Sequence, residues 1–434
     1  MPIQFGTDGL RGKADEELTE AIAAALGAAA ASVLGTQRFY LGRDTRESSP
    51  RLSAAFAAGL ISVGGTCTDI GVAPTPGVAA VCAEFHAPGA VISASHNPWF
   101  DNGIKVLGVG GVKLSDEVEA AIESKLPEFL NAALPELVAA DQDASLLESW
   151  VRHVDAALEG DLSELVIALD TAHGAASAIA PRIFRDLGAR VIVMGNEPNG
   201  RNINDGVGST HPESLAQLVV ESGANVGLAF DGDADRLVAI DETGSVVDGD
   251  VLMTLFAEDL EMRGMLAQHH IVVTVMSNLG MLRHLEHHGI SASVTAVGDR
   301  NVLAELNEGG YSLGGEQSGH IIFSDLATTG DGVLTGVLLA GLLQSSGKTL
   351  SELVAQSFEP YPQVLLSVKA DKSRLDDREV RFALEAAETE LGATGRLVVR
   401  ASGTEPVIRI LVESQDADQA HGMATHLAEI IASA

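Results

Sequence analysis

Three short apolar runs decide the fold: LVIAL at residues 165–169, RVIVM at 190–194 and VGLAF at 226–230. Between them, residues 178–187 and 212–222 carry apolar side chains at helical spacing. Strands that alternate with helices are typical of a parallel sheet covered by helices on both faces. We therefore predict an α/β domain here. Its third strand leads directly into the charged loop Asp231-Gly-Asp-Ala-Asp-Arg236.

The same alternation extends along most of the chain. It predicts strands at 39–41, 90–93, 104–107, 271–275 and 294–297, and helices at 49–63, 250–263 and 279–288. After Pro360 and Pro362 the pattern changes to strands at 364–368, 397–400 and 407–413 with helices at 376–391 and 417–431. A chain of 434 residues exceeds what one core usually supports. We predict four domains, at 1–150, 151–247, 248–360 and 361–434.

Composition narrows the range of partners. The chain has 60 acidic and 27 basic side chains, a net charge of −33, which excludes nucleic acid and anionic membrane surfaces as partners. The apolar stretches at 21–34 and 333–343 are too short to span a bilayer, and the N-terminus lacks the features of a signal peptide. Cys67 and Cys82 belong to no metal-binding motif. We predict a cytoplasmic protein; a small anionic substrate and a homodimer stay open.

Two polar loops follow predicted strands, where ligand-binding loops of α/β sheets lie. The first is Ser93-Ala-Ser-His-Asn-Pro98, with Lys105 a few residues later. It is interpreted either as an ordinary turn or as an exposed serine on a rigid loop with a lysine nearby as cation or proton carrier. The second is the loop at 231–236. Its alternating carboxylates Asp231, Asp233 and Asp235 suit a hard cation such as Mg²⁺, although a solvated acidic turn is the alternative.

A calcium-binding EF-hand also begins with alternating carboxylates. Arg236 stands where that loop requires glycine, and the flanking sequence is strand-like, so we reject this interpretation.

Two further loops offer polar groups. Gly314-Gly-Glu-Gln-Ser-Gly-His320 presents Glu316, Ser318 and His320 at alternating positions, although a glycine-rich turn explains the spacing equally well. Arg400-Ala-Ser-Gly-Thr-Glu-Pro406, with Arg409 beyond it, combines two arginines with two hydroxyls. Such a set suits a phosphate; the alternative is surface arginines paired with acidic neighbours.

Five histidines, at positions 269, 270, 284, 287 and 288, have spacings that resemble a metal motif. No glutamate completes an H-E-x-x-H sequence, and we interpret them as parts of solvated helix faces. Gly347-Lys-Thr349 resembles the end of a nucleotide-binding loop, but its first glycine would fall at Leu342 within an apolar helix. Without a nucleotide loop, the four polar loops together favour phosphoryl transfer in which a serine carries the group.

The chain resembles the α-D-phosphohexomutase superfamily nearly from end to end. The motifs that carry the resemblance are FGTDGLRG at 5–12, SASHNP at 93–98, DGDADR at 231–236, GGEQSGH at 314–320 and RASGTEP at 400–406. The resemblance implies three α/β domains with mixed, mainly parallel sheets and a smaller C-terminal α+β domain around a central cleft. Gln317 and Gly403 match the branch that acts on glucosamine phosphates; the alternative is the phosphomannomutase/phosphoglucomutase branch.

The resemblance also implies roles for particular residues. Ser95 is expected to be phosphorylated and, with the three aspartates, to bind one Mg²⁺. Lys105 or His320 would carry protons, and Arg11 and Arg236 would line the cleft. Glu316 and Ser318 would contact sugar hydroxyls. The non-reacting phosphate would be bound by the last loop, through Arg400, Ser402, Gly403, Thr404 and Arg409. The expected reaction converts glucosamine 6-phosphate to glucosamine 1-phosphate through glucosamine 1,6-bisphosphate and supplies UDP-N-acetylglucosamine for peptidoglycan.

Overall fold

A computed structural model describes residues 9–433 except 36, 132, 134, 137–139 and 402–406. The described chain forms four β-sheets, one in each of four successive segments. Two sequence motifs are only partly covered. Residues 5–8 of the N-terminal motif lie outside the described residues, as do Ser402, Gly403 and Thr404 of the arginine-containing loop.

The first domain has a six-stranded sheet with helices packed on it. Its strands are β1 (Leu10–Lys13), β2 (Arg38–Arg43), β3 (Thr66–Val72), β4 (Gly89–Ile92), β5 (Asp101–Leu107) and β6 (Asp141–Gln142). The order is β1-β5-β4-β2-β3-β6, with β2 parallel to β3 and β4, and β5 antiparallel to β4 and β1. Its helices are α1 (Glu20–Leu34), α2 (Ser49–Ser62), α3 (Thr75–Glu84) and α4 (Asp116–Leu130).

Helices α1 and α2 pack with almost no space between their backbones. A Cβ atom at Gly59 would lie 1.8 Å from the Ala24 carbonyl oxygen, and seven of the fifteen residues of α1 are buried alanines. Small side chains let the two helices approach closely, which fixes α2 and the loop that precedes it against the sheet.

The second domain follows helix α5 (Glu148–Ala156). Its five strands are β7 (Val166–Asp170), β8 (Arg190–Met194), β9 (Val226–Phe230), β10 (Leu237–Asp241) and β11 (Val246–Val247). They lie in the order β11-β10-β9-β7-β8 with α6 (Ile179–Asp186) and α7 (Glu213–Ser222) packed on them. The three runs predicted as strands form the parallel part of this sheet, and a hairpin from β9 to β10 extends it.

The third domain has a four-stranded sheet in the order β13-β12-β14-β15. The strands are β12 (His270–Thr274), β13 (Ser291–Thr295), β14 (Leu313–Gly315) and β15 (Ile321–Phe323). The helices are α8 (Gly249–Met262), α9 (Leu279–His287), α10 (Asp299–Gly309), α11 (Gly332–Ser346) and α12 (Leu350–Val354). The core of this domain is continuous with that of the second domain.

The C-terminal domain is an antiparallel sheet in the order β16-β18-β17, with its own small core. Its elements are β16 (Gln363–Lys369), α13 (Arg378–Leu391), β17 (Gly395–Ala401), β18 (Val407–Ser414) and α14 (Ala417–Ala432). The mixed sheets of the first three domains and the antiparallel sheet of the last agree with the predicted fold class.

Polar contacts join the first three domains. The first and third domains meet where Arg300 forms ion pairs with Asp116 and Glu119 on α4, and where Lys113 contacts Asp299. The second and third domains meet where the Leu237 amide donates to the Gly319 carbonyl at 3.0 Å. These contacts bring the first and second domains against the third.

The interpretation of the histidines was wrong in part. His270 begins strand β12 and stacks on Tyr311 with ring centroids 4.0 Å apart. His284 is on a helix, but its side chain is only 13% exposed and contacts Glu258. Local spacing could not distinguish these environments, because burial depends on helices and strands distant in sequence. Among the described residues, no helix is both long and apolar enough to cross a bilayer.

Candidate active site

Ser95 lies in the loop after β4, in a conformation that serine rarely adopts. Its φ is +50°, in the left-handed region, and its side chain is almost fully buried. The Ser95 hydroxyl donates to Asp231 Oδ2 at 2.5 Å, and its backbone amide donates to Ser93 Oγ at 2.9 Å. The loop thus presents the hydroxyl directly to the first carboxylate of the 231–236 loop.

A buried arginine that the sequence analysis did not single out holds the serine loop in place. The Arg46 guanidinium donates to the carbonyl oxygens of Ser95 at 2.8 Å and Asn97 at 2.9 Å, and also contacts Pro98. Its Nε donates to Asp44 Oδ2 at 2.7 Å. The position of Arg46, directly after strand β2, is the signal that could have identified it, because loops at that edge of a sheet carry function.

The three aspartates of the second loop gather around one point. Their carboxylates each offer an oxygen within 4.8 Å of the others, and all three side chains are buried. Thr75 Oγ1 donates to Asp233 Oδ2 at 2.6 Å. Lys105 Nζ donates to Asp233 Oδ2 at 2.8 Å and to Asp235 Oδ2 at 3.0 Å. The serine loop, the aspartate loop and Lys105 therefore form one cluster, to which Thr75 is an addition not foreseen from sequence.

Close approach of the two loops depends on a glycine. A Cβ atom at Gly232 would lie 2.6 Å from the Ser95 carbonyl oxygen. Any larger side chain would push the aspartate loop away from the serine, so this position requires glycine.

Electrostatics differ among the three carboxylates. Burial, together with the charges of Asp235 and Asp233, raises the pKa of Asp231 well above its ordinary value. Burial also acts on Asp235, but the positive charge of Lys105, the neighbouring His320 and the positive charge of Arg236 outweigh it and hold the pKa of Asp235 well below the ordinary range. The cluster therefore has a carboxylate that favours a proton beside one that stays ionised.

The cluster fits a metal ion. Asp233 Oδ1 and Asp235 Oδ1 are buried and have no hydrogen-bond partner among the described residues. An unpaired buried carboxylate oxygen is costly unless a cation or a donor satisfies it. Three carboxylate oxygens are ligands that suit a hard divalent cation.

The loop at 314–320 packs against the aspartate loop. Gly319 has a φ of +89°, and a Cβ there would lie 2.0 Å from the Leu237 carbonyl oxygen. Glu316 is half-buried, and its Oε1 accepts a hydrogen bond from the Gly298 amide at 3.0 Å. Ser318 is exposed. The loop therefore presents one anchored carboxylate and one solvent-facing hydroxyl beside the aspartates.

His320 is buried between two acidic residues. Its Nδ1 lies 3.6 Å from Asp235 Oδ1, and its Nε2 accepts from the Gly330 amide at 3.1 Å. Because Nε2 is an acceptor in this arrangement, the ring proton is on Nδ1, facing Asp235. Burial opposes charge on the ring, but Asp235 and Asp299 raise the pKa of His320 above its ordinary value. A second proton on the ring would cost the contact with Gly330.

His96 is a further site residue that sequence reasoning passed over. Its Nδ1 lies 3.4 Å from Ser95 Oγ. Burial, then the positive charges of Arg236 and Arg11, lower the pKa of His96 to about 4. Both arginines therefore act electrostatically on His96, which is a neutral neighbour of the Ser95 hydroxyl at neutral pH.

Arg400 and Arg409 belong to the C-terminal sheet. They stand directly opposite each other on β17 and β18, where side chains share a face. Burial and the charge of Arg409 lower the pKa of Arg400. Two like charges in this position destabilise a sheet unless an anion satisfies them, so the pair is suited to binding a phosphate.

Four family models match successive parts of the chain. They describe the phosphoglucomutase/phosphomannomutase α/β/α domain I at residues 2–131, domain II at 148–244, domain III at 248–361 and the C-terminal domain at 365–430. Together the four matches cover most of the sequence, and the domains follow one another along the chain from I to the C-terminal domain.

Curated relatives align over the full length. A phosphoglucosamine mutase of Clavibacter michiganensis subsp. michiganensis is 48% identical over 442 residues, covering 99% of both chains. A phosphoglucosamine mutase of Thermoanaerobacter pseudethanolicus is 47% identical over 443 residues, again with 99% of each chain covered.

Solved structures share the fold at lower identity. A phosphoglucomutase/phosphomannomutase family protein from Burkholderia thailandensis has a TM-score of 0.82 at 23% identity, covering 99% of this chain and 98% of its own. An Aspergillus fumigatus N-acetylphosphoglucosamine mutase, solved with GlcNAc-6P and magnesium, has a TM-score of 0.71 at 18% identity, covering 100% and 96%.

Proposed function

The chain belongs to the phosphoglucomutase/phosphomannomutase family, and on that premise we propose that it acts as a phosphoglucosamine mutase. It is an isomerase that interconverts glucosamine 6-phosphate and glucosamine 1-phosphate. Full-length identity of 46–48% to several curated phosphoglucosamine mutases supports this activity over the phosphomannomutase/phosphoglucomutase alternative. The sugar 1-phosphate is the form needed to make UDP-N-acetylglucosamine for peptidoglycan.

One contact carries the proposed mechanism: the Ser95 hydroxyl against Asp231 at the edge of the carboxylate cluster. We assign Ser95 as the residue that holds the phosphoryl group between turnovers. The left-handed backbone of Ser95 and the hydrogen bonds from Arg46 to its loop hold Ser95 Oγ in a fixed position, where it can transfer the group to the substrate. A solvated turn would need neither feature.

The proposed reaction has two transfers. In the first, the bond between phosphorus and Ser95 Oγ breaks while phosphorus bonds to O1 of glucosamine 6-phosphate; the hydroxyl proton of O1 leaves to a base, and Ser95 Oγ takes a proton. The product is glucosamine 1,6-bisphosphate. After the bisphosphate turns around, the bond from its second phosphorus to O6 breaks and that phosphorus bonds to Ser95 Oγ; the hydroxyl proton of Ser95 leaves to a base, and O6 takes a proton. Glucosamine 1-phosphate is released, and the enzyme is phosphorylated as at the start.

Lys105 is the better candidate of the two expected proton carriers. In His320, Nε2 accepts from Gly330, and Nδ1 lies 3.6 Å from Asp235 Oδ1, so the ring is held beside this carboxylate. We therefore assign His320 to positioning Asp235. Lys105 contacts Asp233 and Asp235 and supplies a proton-bearing nitrogen and a positive charge.

Asp231, Asp233 and Asp235, with an oxygen of phosphorylated Ser95, would hold Mg²⁺. When bound, Mg²⁺ would neutralise negative charge on the phosphoryl oxygens as it develops. Arg11 and Arg236 would add positive charge from the cleft wall; the Arg236 amide donates to Asp231 Oδ1 at 3.2 Å, which supports this role for Arg236.

Substrate binding is divided between two loops. Glu316 and Ser318 would contact sugar hydroxyls, and the Glu316 carboxylate could also attract the ammonium group of an amino sugar. The non-reacting phosphate would bind at Arg400 and Arg409, together with the predicted contacts Ser402, Gly403 and Thr404. A cytoplasmic location and a homodimer also remain predictions.

The test is a mutase assay with glucosamine, glucose and mannose phosphates, in which inorganic phosphate is measured in parallel. A charge-assisted hydrogen bond to the amine is worth about 1.5–3 kcal/mol, or roughly ten- to a hundredfold in kcat/KM. We expect the glucosamine phosphates to be preferred by that factor, without phosphate release. Equal kcat/KM with glucose 1-phosphate would indicate the alternative branch, and stoichiometric phosphate release would indicate a phosphatase.

A further inference from the structure

A second group of metal-ligating side chains lies in the third domain, away from the candidate active site. Glu258 on α8, His284 on α9 and His288 at the end of α9 each offer one ligand atom, all within 4.8 Å of one another. In the described part of the chain, this group and the three aspartates are the two sets of at least three such residues. The proposed mutase reaction uses none of these three side chains.

The hydrogen bond of His288 leaves its second ring nitrogen available to a metal, and that of His284 brings its ring nitrogen beside a carboxylate. His288 Nδ1 lies 2.8 Å from the His284 carbonyl oxygen, which can only accept, so Nδ1 carries the ring proton and Nε2 carries a lone pair. Metal-ligating histidines commonly donate their other ring N–H to a backbone carbonyl in this way. His284 Nε2 donates to Glu258 Oε1 at 2.6 Å, so these two ligand atoms are already adjacent, and the proton between them would leave when both bind one ion.

The two imidazole rings are neighbours. Their centroids are 4.2 Å apart with an angle of 33° between the planes. The i, i+4 spacing on one helix brings them together, as in helical metal motifs. An ordinary ion pair between His284 and Glu258 explains two of the residues, but it does not explain why His288 stacks beside them with its proton turned toward the backbone.

The surroundings favour a cation that can enter and leave. The His284 side chain is 13% exposed and that of Glu258 is 28% exposed, while His288 lies at the surface. Glu258 and His288 line a cleft of about 380 Å³, where Asp259 and Glu261 add negative charge and Lys348 adds positive charge. In a chain with a net charge of −33, such a cleft attracts divalent cations.

We propose that Glu258, His284 and His288 form a site for a borderline divalent transition metal such as Zn²⁺, Co²⁺ or Ni²⁺. Two imidazoles and one carboxylate select these ions over Mg²⁺, which prefers oxygen ligands alone. Bonds from Zn²⁺ to nitrogen and oxygen are about 2.0–2.2 Å, so the three side chains reach one ion after small rotations. Three protein ligands leave a coordination position for water.

Metal at this site would join α8 to α9. The N-terminal end of α9 also meets the C-terminal domain, where the Leu279 amide donates to Glu413 Oε1 at 3.0 Å and Arg283 donates to the Ala393 carbonyl at 2.5 Å. Binding is therefore expected to stabilise the helix on which the C-terminal domain rests.

The experiment uses the full-length, chelator-treated protein with Mg²⁺ in excess, so that the aspartate cluster does not take up the added ion. Zn²⁺ binding is measured by competition with a chromophoric chelator, and Co²⁺ is added separately to record the visible absorption of a low-symmetry site. The double variant His284→Ala/His288→Ala removes two ligands. His287→Ala is the matched control, because His287 is an exposed neighbour on the same helix outside the cluster.

We expect wild type and His287→Ala to bind one Zn²⁺ with equal affinity and to give the same Co²⁺ spectrum. The double variant should bind at least about tenfold more weakly and lose the spectrum. If the double variant does not fold, as judged by circular dichroism, His288→Gln carries the same expectation, because that side chain is at the surface. Equal Zn²⁺ affinity in wild type and the folded ligand variant would overturn the proposal, as would the absence of Zn²⁺ binding to wild type.

Discussion

The two groups of ion-binding side chains in this chain are built in opposite ways. The aspartate cluster is fully buried, consists of oxygen ligands alone, and is assembled from loops that follow β4 and β9 together with Lys105 on β5. The group of Glu258, His284 and His288 is half-exposed, mixes nitrogen with oxygen, and comes from two adjacent helices. The first is placed where a reaction can be shielded from water; the second is open to exchange.

The difference teaches what each group can do. Burying three carboxylates is costly, and the fold supplies Lys105 and Thr75 to compensate; the proposed Mg²⁺ would offset the remaining negative charge. Buried carboxylates with shifted pKa values are found mainly at functional sites, which favours a catalytic role for this cluster. The histidine group carries no comparable cost, since its members are partly solvated and already paired, and its loss should leave turnover intact.

The largest expected effect is that of Ser95→Ala. Without the hydroxyl there is no atom to carry the phosphoryl group, so mutase turnover should fall to background while the folded structure is kept. His288→Ala serves as the control from the second group and should turn over like wild type. The measurement is the rate of glucosamine 1-phosphate formation together with a thermal unfolding curve. Activity of Ser95→Ala above about a tenth of wild type would disprove the assignment of the serine.

A smaller effect is expected from Asp233→Asn. The change keeps the shape of the side chain but removes one negative charge from the cluster. It also weakens the hydrogen bonds that Lys105 and Thr75 donate to this position. Loss of one charged interaction of about 1.5–3 kcal/mol corresponds to roughly ten- to a hundredfold in activity. Activity should recover partly at high Mg²⁺.

The matched control for that variant is Asp186→Asn, an exposed aspartate on α6. A Mg²⁺ titration of the rate distinguishes the two. If Asp233→Asn and Asp186→Asn required the same Mg²⁺ concentration, the aspartate cluster would not be a metal site, and the contrast with the histidine group would fail.

The smallest effect is expected at the arginine pair of the C-terminal sheet. Arg400→Gln should raise KM for the sugar phosphate by about tenfold, because one charge-assisted contact to the non-reacting phosphate is lost. The same change relieves repulsion from Arg409, so the free energy of unfolding should stay constant or rise by up to about 0.5 kcal/mol. Lys369→Gln, an exposed position on β16, is the control. An unchanged KM would show that the pair does not bind phosphate.

Local pattern was sufficient for much of the fold. The runs at 165–169, 190–194 and 226–230 form neighbouring parallel strands, because apolar runs of this length bounded by helices have few other stable arrangements. The pattern did not reveal β1, which pairs with β5 across about ninety residues of sequence. Strand β1 pairs with β5 because the edge of β5 is unpaired once the rest of the sheet has formed. No local sequence pattern encodes this pairing.

The site shows the same division. Polar loops after strands indicated a serine with Lys105 nearby and the three aspartates, and the family resemblance singled out Ser95; the structure brings these residues into contact. Arg46 could not be assigned a role from sequence, because its partners at Ser95 and Asn97 lie some fifty residues away. The left-handed backbone of Ser95 and the tautomer of His320 likewise depend on contacts made only in the folded chain.

The most direct test of the central claim is to locate the phosphoryl group. The protein is incubated with glucosamine 1,6-bisphosphate, digested and mapped by tandem mass spectrometry, and a second sample is mixed with glucosamine 6-phosphate for a single turnover. We predict one phosphoryl group on Ser95, its transfer to the sugar without release of inorganic phosphate, and no adduct in Ser95→Ala. A phosphoryl group on another residue, or continued turnover by a chain that carries none, would contradict the account.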